Sequence, residues 1–118
     1  MDTFNLSLPL TGEYLTTVRL TTGGLCALLD FDVDSAEDFK VCVTESLLIL
    51  KRNGYARADI TFTVGESLGF SVCGVQKEGE VQEGMEDEIS RALLSALLGE
   101  VCVEKDEQGQ VQKIAFEG

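Results

Sequence analysis

The 118-residue chain is 44% apolar and 25% charged, ordinary proportions for a soluble globular protein. They exclude a disordered or fibrous chain and fit one domain, residues 1–118, large enough for a core without metal or disulfide support. Nine Lys and Arg against 21 Asp and Glu give a formal charge of −12, a surface that repels phosphate backbones and anionic lipid, so neither nucleic acid nor membrane is an expected partner.

The chain has no His, and its four Cys never form a C-x-x-C pair, so no metal centre is expected. Three of the four lie in apolar runs and read as small buried hydrophobes, which suits a reducing compartment. MDTFNLSLP has neither the basic segment nor the apolar core of a signal peptide, and no run approaches the ~20 apolar residues of a membrane span. The expected location is the cytoplasm.

Phe4, Leu6 and Leu8 alternate with polar residues as in a half-buried strand, with Pro9 at its end. From Thr11, an N-cap candidate, Tyr14, Leu15, Val18, Thr22, Leu25 and Leu29 share one helical face. Gly23-Gly24 weakens the middle of that helix by roughly 1 kcal/mol per glycine relative to alanine. FDVD, Phe31 to Asp34, reads as a capped turn, since its alternating acids lack the glycine and later glutamate of a calcium loop.

The next stretch, Ser35 to Tyr55, organises the chain as one helix. Ser35 with Asp38 reads as a capping-box variant. Phe39, Cys42, Val43, Ser46, Leu47 and Leu50 form one face, expected to lie on a sheet. Glu45 and Ile49 sit together at the edge of that stripe. Val41 and Leu48 point away from it, so further elements should cover the back of the helix. The helix ends at the Asn53-Gly54 turn signal.

Ile60, Phe62 and Val64 alternate in a strand from Ala58 to Val64. Gly65-Glu66-Ser67 and then Leu68, Phe70 and Val72 complete an antiparallel hairpin. Val75 to Gly84, polar and glycine-punctuated, reads as a loop. Met85 opens a third helix with acids in its first turn. Its expected core stripe is Ile89, Ala92, Leu93, Ala96 and Leu97, and Gly99 ends it. Val101 to Val103 and Lys113 to Phe116 are the last strands, joined through Glu104 to Gly109. The order β-α-α-β-β-α-β-β specifies an α+β, two-layer sandwich: a mostly antiparallel sheet with helices on one face. The backs of the helices leave surface that a homodimer would bury.

Glu13-Tyr14-Leu15, Val18-Arg19-Leu20, FDVDSAEDFKVCVTES, the hairpin after it and the helix-strand-strand ending from Leu93 to Phe116 together resemble the serine-kinase anti-sigma factors of the histidine-kinase-like ATPase superfamily. The likeness spans nearly the whole chain. Its most specific part is EDFKVCVTES, against E-D-I-K-x-A-V-S-E-A-x-x-N in that family. The resemblance implies the histidine-kinase-like ATPase fold, Mg²⁺ and ATP as cofactors, and a sigma factor or its anti-anti-sigma antagonist as partner.

The implied site residues depart from the pattern one by one. Glu45 matches the acidic residue that handles the attacking or magnesium-bound water. Ile49 stands where the family has its Mg²⁺-holding asparagine. Around Gly74, Cys73-Gly74-Val75-Gln76-Lys77 has no carboxylate to read adenine. Glu83-Gly84-Met85 takes the place of the glycine-rich turn that meets the phosphates. There Glu78, Glu80, Glu83, Glu86, Asp87 and Glu88 surround a single Lys77, and like charges at that density oppose a triphosphate. Three readings follow. The first is an anti-sigma-like regulator acting by protein binding, with no nucleotide cofactor and a degenerate pocket at Glu45, Ile49, Gly74 and Gly84. The second is an active ATP-dependent serine kinase of an anti-sigma antagonist. The third is a non-catalytic dimerisation partner of an intact paralogue.

Overall fold

The computed structural model describes residues 2–81 and 84–118. Eight elements follow one another: β1 (Asp2–Pro9), α1 (Gly12–Leu28), α2 (Val33–Arg52), β2 (Asn53–Val64), β3 (Leu68–Val81), α3 (Met85–Leu98), β4 (Cys102–Lys105) and β5 (Val111–Glu117). The strands form one antiparallel sheet in the order β1-β2-β3-β5-β4. The architecture is the expected α+β sandwich. Its element order is also the expected one, and no described helix is long and apolar enough to cross a membrane.

Helix α2 is the centre of the molecule, packing on β2, β3 and β5 while α1 and α3 flank it. All six residues of its expected sheet face are buried, and Ile49 is buried with them. Val41 and Leu48, on the flanks, are half-buried. From the sheet Ile60, Phe62, Leu68, Phe70, Val72, Ile114 and Phe116 point into the same core. Phe31, Phe39, Phe116, Phe70 and Phe62 form a chain of aromatic contacts with successive centroids 5.9, 5.3, 4.8 and 5.5 Å apart, the first two edge-to-face and the last two tilted. Thr22 and Ser46, the buried hydroxyls of α1 and α2, donate to the carbonyls of Val18 and Cys42 one turn back, at 2.7 and 2.8 Å. Neither is left unsatisfied in the core.

Several local expectations are corrected. The N-cap of α2 is Asp32, whose Oδ1 accepts from the Ser35 N–H at 2.7 Å. A carboxylate three residues upstream thus takes the free amide and places Ser35 inside the first turn. Thr11 occupies the N-cap position of α1 without a side-chain cap, and Gly23-Gly24 does not interrupt that helix. Strand β2 begins at Asn53, directly after α2, with a register shift between Asn53 and Tyr55. The expected loop from Val75 is strand through Val81; residues 82 and 83 lie outside the described part of the chain. Strand β5 pairs with β3 only from Gly69 to Cys73, and β1 pairs with β2 only as far as Arg57, opposite Val75, so beyond Val75 β2 and β3 run on as a two-stranded ribbon. With no third strand to bury, the ribbon shows no apolar alternation. The last strands run slightly longer than expected, to Lys105 and from Val111.

The face of α3 is also corrected. Its buried residues are Ser90 and Leu94, whereas Ile89, Ala92 and Ala96 are exposed and Leu93 is half-buried. Of the expected stripe only Leu93 and Leu97 reach partial burial, and Leu97 and Leu98 pack against the core.

Leu47 is 1% exposed at the middle of the α2 face. Leu47→Ala is expected to lower the unfolding free energy by about 2–5 kcal/mol. Urea denaturation followed by circular dichroism measures it, and a loss below about 0.5 kcal/mol would show that the site tolerates the cavity.

Candidate functional site

Of the four positions singled out by sequence, Glu45 and Gly74 each belong to a polar cluster, while the Ile49 side chain and Gly84 do not. The first cluster is the seam between α2 and α3. Glu45 is half-buried on α2, and its Oε2 accepts from Ser90 Oγ at 2.6 Å. The same Ser90 oxygen accepts from Arg52 Nη2 at 2.6 Å. Arg52 Nε donates to Asp87 Oδ1 at 2.7 Å, with the two side chains only 13% and 22% exposed. The other Asp87 oxygen accepts from Asn53 Nδ2 at 2.8 Å, a donor that also reaches the Ile49 carbonyl at 2.7 Å. Asn53 Oδ1 then accepts from the Val111 amide at 3.0 Å, which ties the seam to β5.

Every member of this network has a partner, and one of the bonds, Arg52 to Asp87, joins two charged groups shielded from water, where such bonds are strongest. Arg52 and Asn53 are placed by the end of α2, and Asp87 and Ser90, three residues apart on α3, face them together. The network therefore fixes the rotation of α3. It turns Leu94 toward the core and Ile89 outward.

Ile49 lies in the core beneath this seam with no exposed surface. Its side chain has no oxygen to offer a cation, and Asn53, four residues further on, spends its amide on the helix, on Asp87 and on β5. Gly84 occupies the N-cap position of α3 without a side-chain cap. Glu86 and Glu88 stand exposed in the first turn after it.

Gly74 belongs to the second cluster. A Cβ there would come within 2.5 Å of Tyr55 Cγ, so the glycine exists to let the Tyr55 ring lie flat on β3. The ring covers the backbone that the resemblance assigns to adenine reading. Tyr55 donates from its hydroxyl to Asp106 Oδ2 at 2.6 Å, and Lys77 Nζ reaches the same oxygen at 2.8 Å while lying 5.5 Å from the ring centroid. The Gln108 and Gln110 amides hold Asp106 Oδ1 at 2.9 and 3.0 Å. The Lys77 ammonium, with the Tyr55 hydroxyl and these amides, keeps the Asp106 carboxyl well below the usual carboxylate range. Burial, then Asp106, pushes the Tyr55 phenol above its usual range. At neutral pH the pair is a carboxylate held by a neutral phenol and a cation.

Two surface grooves are lined as follows, the second sharing Asp106 and Gln108 with the Tyr55 cluster. One of about 470 Å³ is lined by Leu98, Glu100, Cys102, Ala115, Phe116 and Glu117, and one of about 350 Å³ by Asp106, Glu107, Gln108 and Gln112. Neither includes Glu45, Ile49, Gly74 or Gly84. Among the described residues no three His, Cys, Asp or Glu side chains converge as a metal site requires. All four thiols are free: Cys26 and Cys42 are buried, Cys73 is half-buried and Cys102 exposed. Burial, reinforced by Asp38 and Glu45, pushes the Cys42 thiol up to about 12.

Sequence reasoning found Glu45 but not the residues that hold it. Arg52 and Asn53 read as the end of a helix, and Asp87 as one of several first-turn acids. The available signal was Ser90, a hydroxyl between Ile89 and the Leu93-Leu94 pair on a helix otherwise fit for a core. No protein-family model matches the chain, and none of the curated proteins matches it.

Ser90→Ala removes the hydroxyl that joins Glu45 to Arg52, and is expected to lower the unfolding free energy by about 1–3 kcal/mol. Ser95→Ala, exposed on the same helix, should change it by no more than about 0.5 kcal/mol. Equal effects in urea denaturation would show that the seam contributes nothing.

Proposed function

We propose that the chain is a regulatory protein that acts by binding another protein, on the plan of the anti-sigma factors of the histidine-kinase-like ATPase superfamily, with its nucleotide pocket filled by its own side chains. The observation that carries this reading is the α2–α3 seam. Glu45, which would have to address water or magnesium, is instead occupied by Ser90, with Arg52 and Asp87 closing the seam behind it.

The residues do not fit Mg-ATP. Magnesium requires several oxygen donors in near-octahedral array; Ile49 supplies none, and Glu45 is already hydrogen-bonded. Adenine would have to displace Tyr55 from Gly74. Phosphates at the start of α3 would meet Glu86, Glu88 and the Arg52-paired Asp87, against the attraction that a helix N-terminus otherwise provides.

On this reading the partner is a sigma factor or an anti-anti-sigma protein, and the net charge of −12 favours proteins over nucleic acid. Four separate free thiols suit a cytoplasmic setting. Isothermal titration of the full chain with Mg-ATP tests the closed pocket directly. The expected result is a dissociation constant in the millimolar range or weaker, about −4 kcal/mol at best. Micromolar binding, or transfer of the terminal phosphate to a serine of an antagonist protein, would overturn the reading in favour of a kinase.

A further inference from the structure

Met85, Ile89, Ala92 and Ala96 follow one another at i, i+4, i+7 and i+11, one straight row along α3. All four are exposed, Met85 by 73% and Ile89 by 62%. Leu93 borders the row half-buried. At 1.5 Å per residue the row is about 16 Å long. Single exposed apolar side chains are ordinary on a protein surface, but a continuous row on the solvent side of a helix reverses the usual arrangement. The reversal is enforced, since the ties from Asp87 and Ser90 to α2 set the rotation of the helix. Glu88 lies on one flank of the row and Glu86 on the other, both exposed; the only cation of the helix, Arg91, lies beyond Glu88 on the far shoulder.

From this surface we infer a docking site for an amphipathic helix of a partner protein, apolar along one side and flanked there by Lys or Arg. The inference rests on the protein-binding reading and gives it a surface. Helical spacing of the row matches helix-on-helix docking, read through i, i+4 and i+7 contacts, and does not match an extended strand. Acids on both flanks select a basic occupant by charge complementarity. A second copy of this chain is disfavoured by the same acids, because two copies docked through this row would bring four exposed glutamates into one interface, each chain carrying −12. Anionic lipid is repelled likewise.

The probe is a fluorescein-labelled Leu/Lys peptide of about five helical turns, patterned with leucine along one face, titrated with the full chain in near-physiological salt and read by anisotropy. Its controls are the same composition scrambled and the same pattern with Glu in place of Lys. The patterned Lys peptide is expected to bind and both controls to bind at least about tenfold more weakly. Ile89→Asp, and separately Ala92→Glu, should each weaken binding by about tenfold or more, because each sets a charge against the leucine face of the peptide, a desolvation cost that outweighs the added attraction to lysine. Leu20→Asp on α1, where Leu20 is 74% exposed, should leave it unchanged. Circular dichroism checks that each variant folds, and the two α3 variants serve as independent probes of the row.

The proposal is overturned if both α3 variants bind within about twofold of the parent chain, or if the scrambled or Glu peptide binds as well as the patterned one. Binding lost in Leu20→Asp alone would move the docking surface to α1 and leave the protein-binding reading standing. Micromolar Mg-ATP affinity in the separate titration would remove that reading without touching the peptide result. Self-association in sedimentation equilibrium that Ile89→Asp abolishes would assign the row to a second copy and overturn the basic partner.

Discussion

The hydrogen-bonded seam of Glu45, Ser90, Arg52, Asp87 and Asn53 decides how α3 sits on the molecule, and much of the remaining surface follows from it. Helix α2 would find the sheet through its apolar face alone. Helix α3 would not: apolar residues lie on most of its circumference, so burial by itself leaves its rotation undecided. Directional bonds from two side chains three residues apart remove that freedom. One consequence is a dry position for Leu94, and the other is an exposed apolar row on the opposite side. Taking one partner away leaves charged groups shielded from water without compensation, which is why such a seam is costly to break although its net contribution when complete is modest.

That same seam bears on function through what it occupies. On the proposed reading, the space between α2 and the start of α3 is where a nucleotide-binding protein of the resembled superfamily would have to admit phosphates and a cation. In this chain an arginine, a serine and an aspartate meet there, an isoleucine lines the core below, and a tyrosine lies on the glycine strand nearby. Each of these contacts is structurally sound by itself. Together they leave these positions engaged in internal contacts, which supports the proposed reading of a protein that works through its surfaces.

The organising helix and the layered order were legible because they rest on strong periodicities. Phe39, Cys42, Val43, Ser46, Leu47 and Leu50 admit one reading, and the alternation of Ile60, Phe62 and Val64 fixes its strand. Strand order was not legible, since β5 enters between β3 and β4 through contacts that no local pattern records. The ribbon from Val75 to Val81 read as loop because paired strands without a buried face carry no apolar signal. The face of α3 was misread because a stripe of Ile89, Ala92, Leu93, Ala96 and Leu97 is as regular as the one that is buried, and the choice between them is made by polar partners on another helix. Glu45 was visible through resemblance; its engagement with Ser90, 45 positions away, was not.

Native-state hydrogen exchange on α3 measures the central claim most directly, because amides in a firmly docked helix exchange only through large openings whereas those of a mobile lid exchange through local ones. If the seam holds α3 to α2, the amides from Ile89 to Leu94 should show protection within about tenfold of those from Val43 to Leu50, a difference of about 1.4 kcal/mol. Exchange of the α3 amides a thousandfold or more faster, a gap of about 4 kcal/mol, with α2 still protected, would mean that α3 opens freely and that the pocket beside Glu45 is not closed.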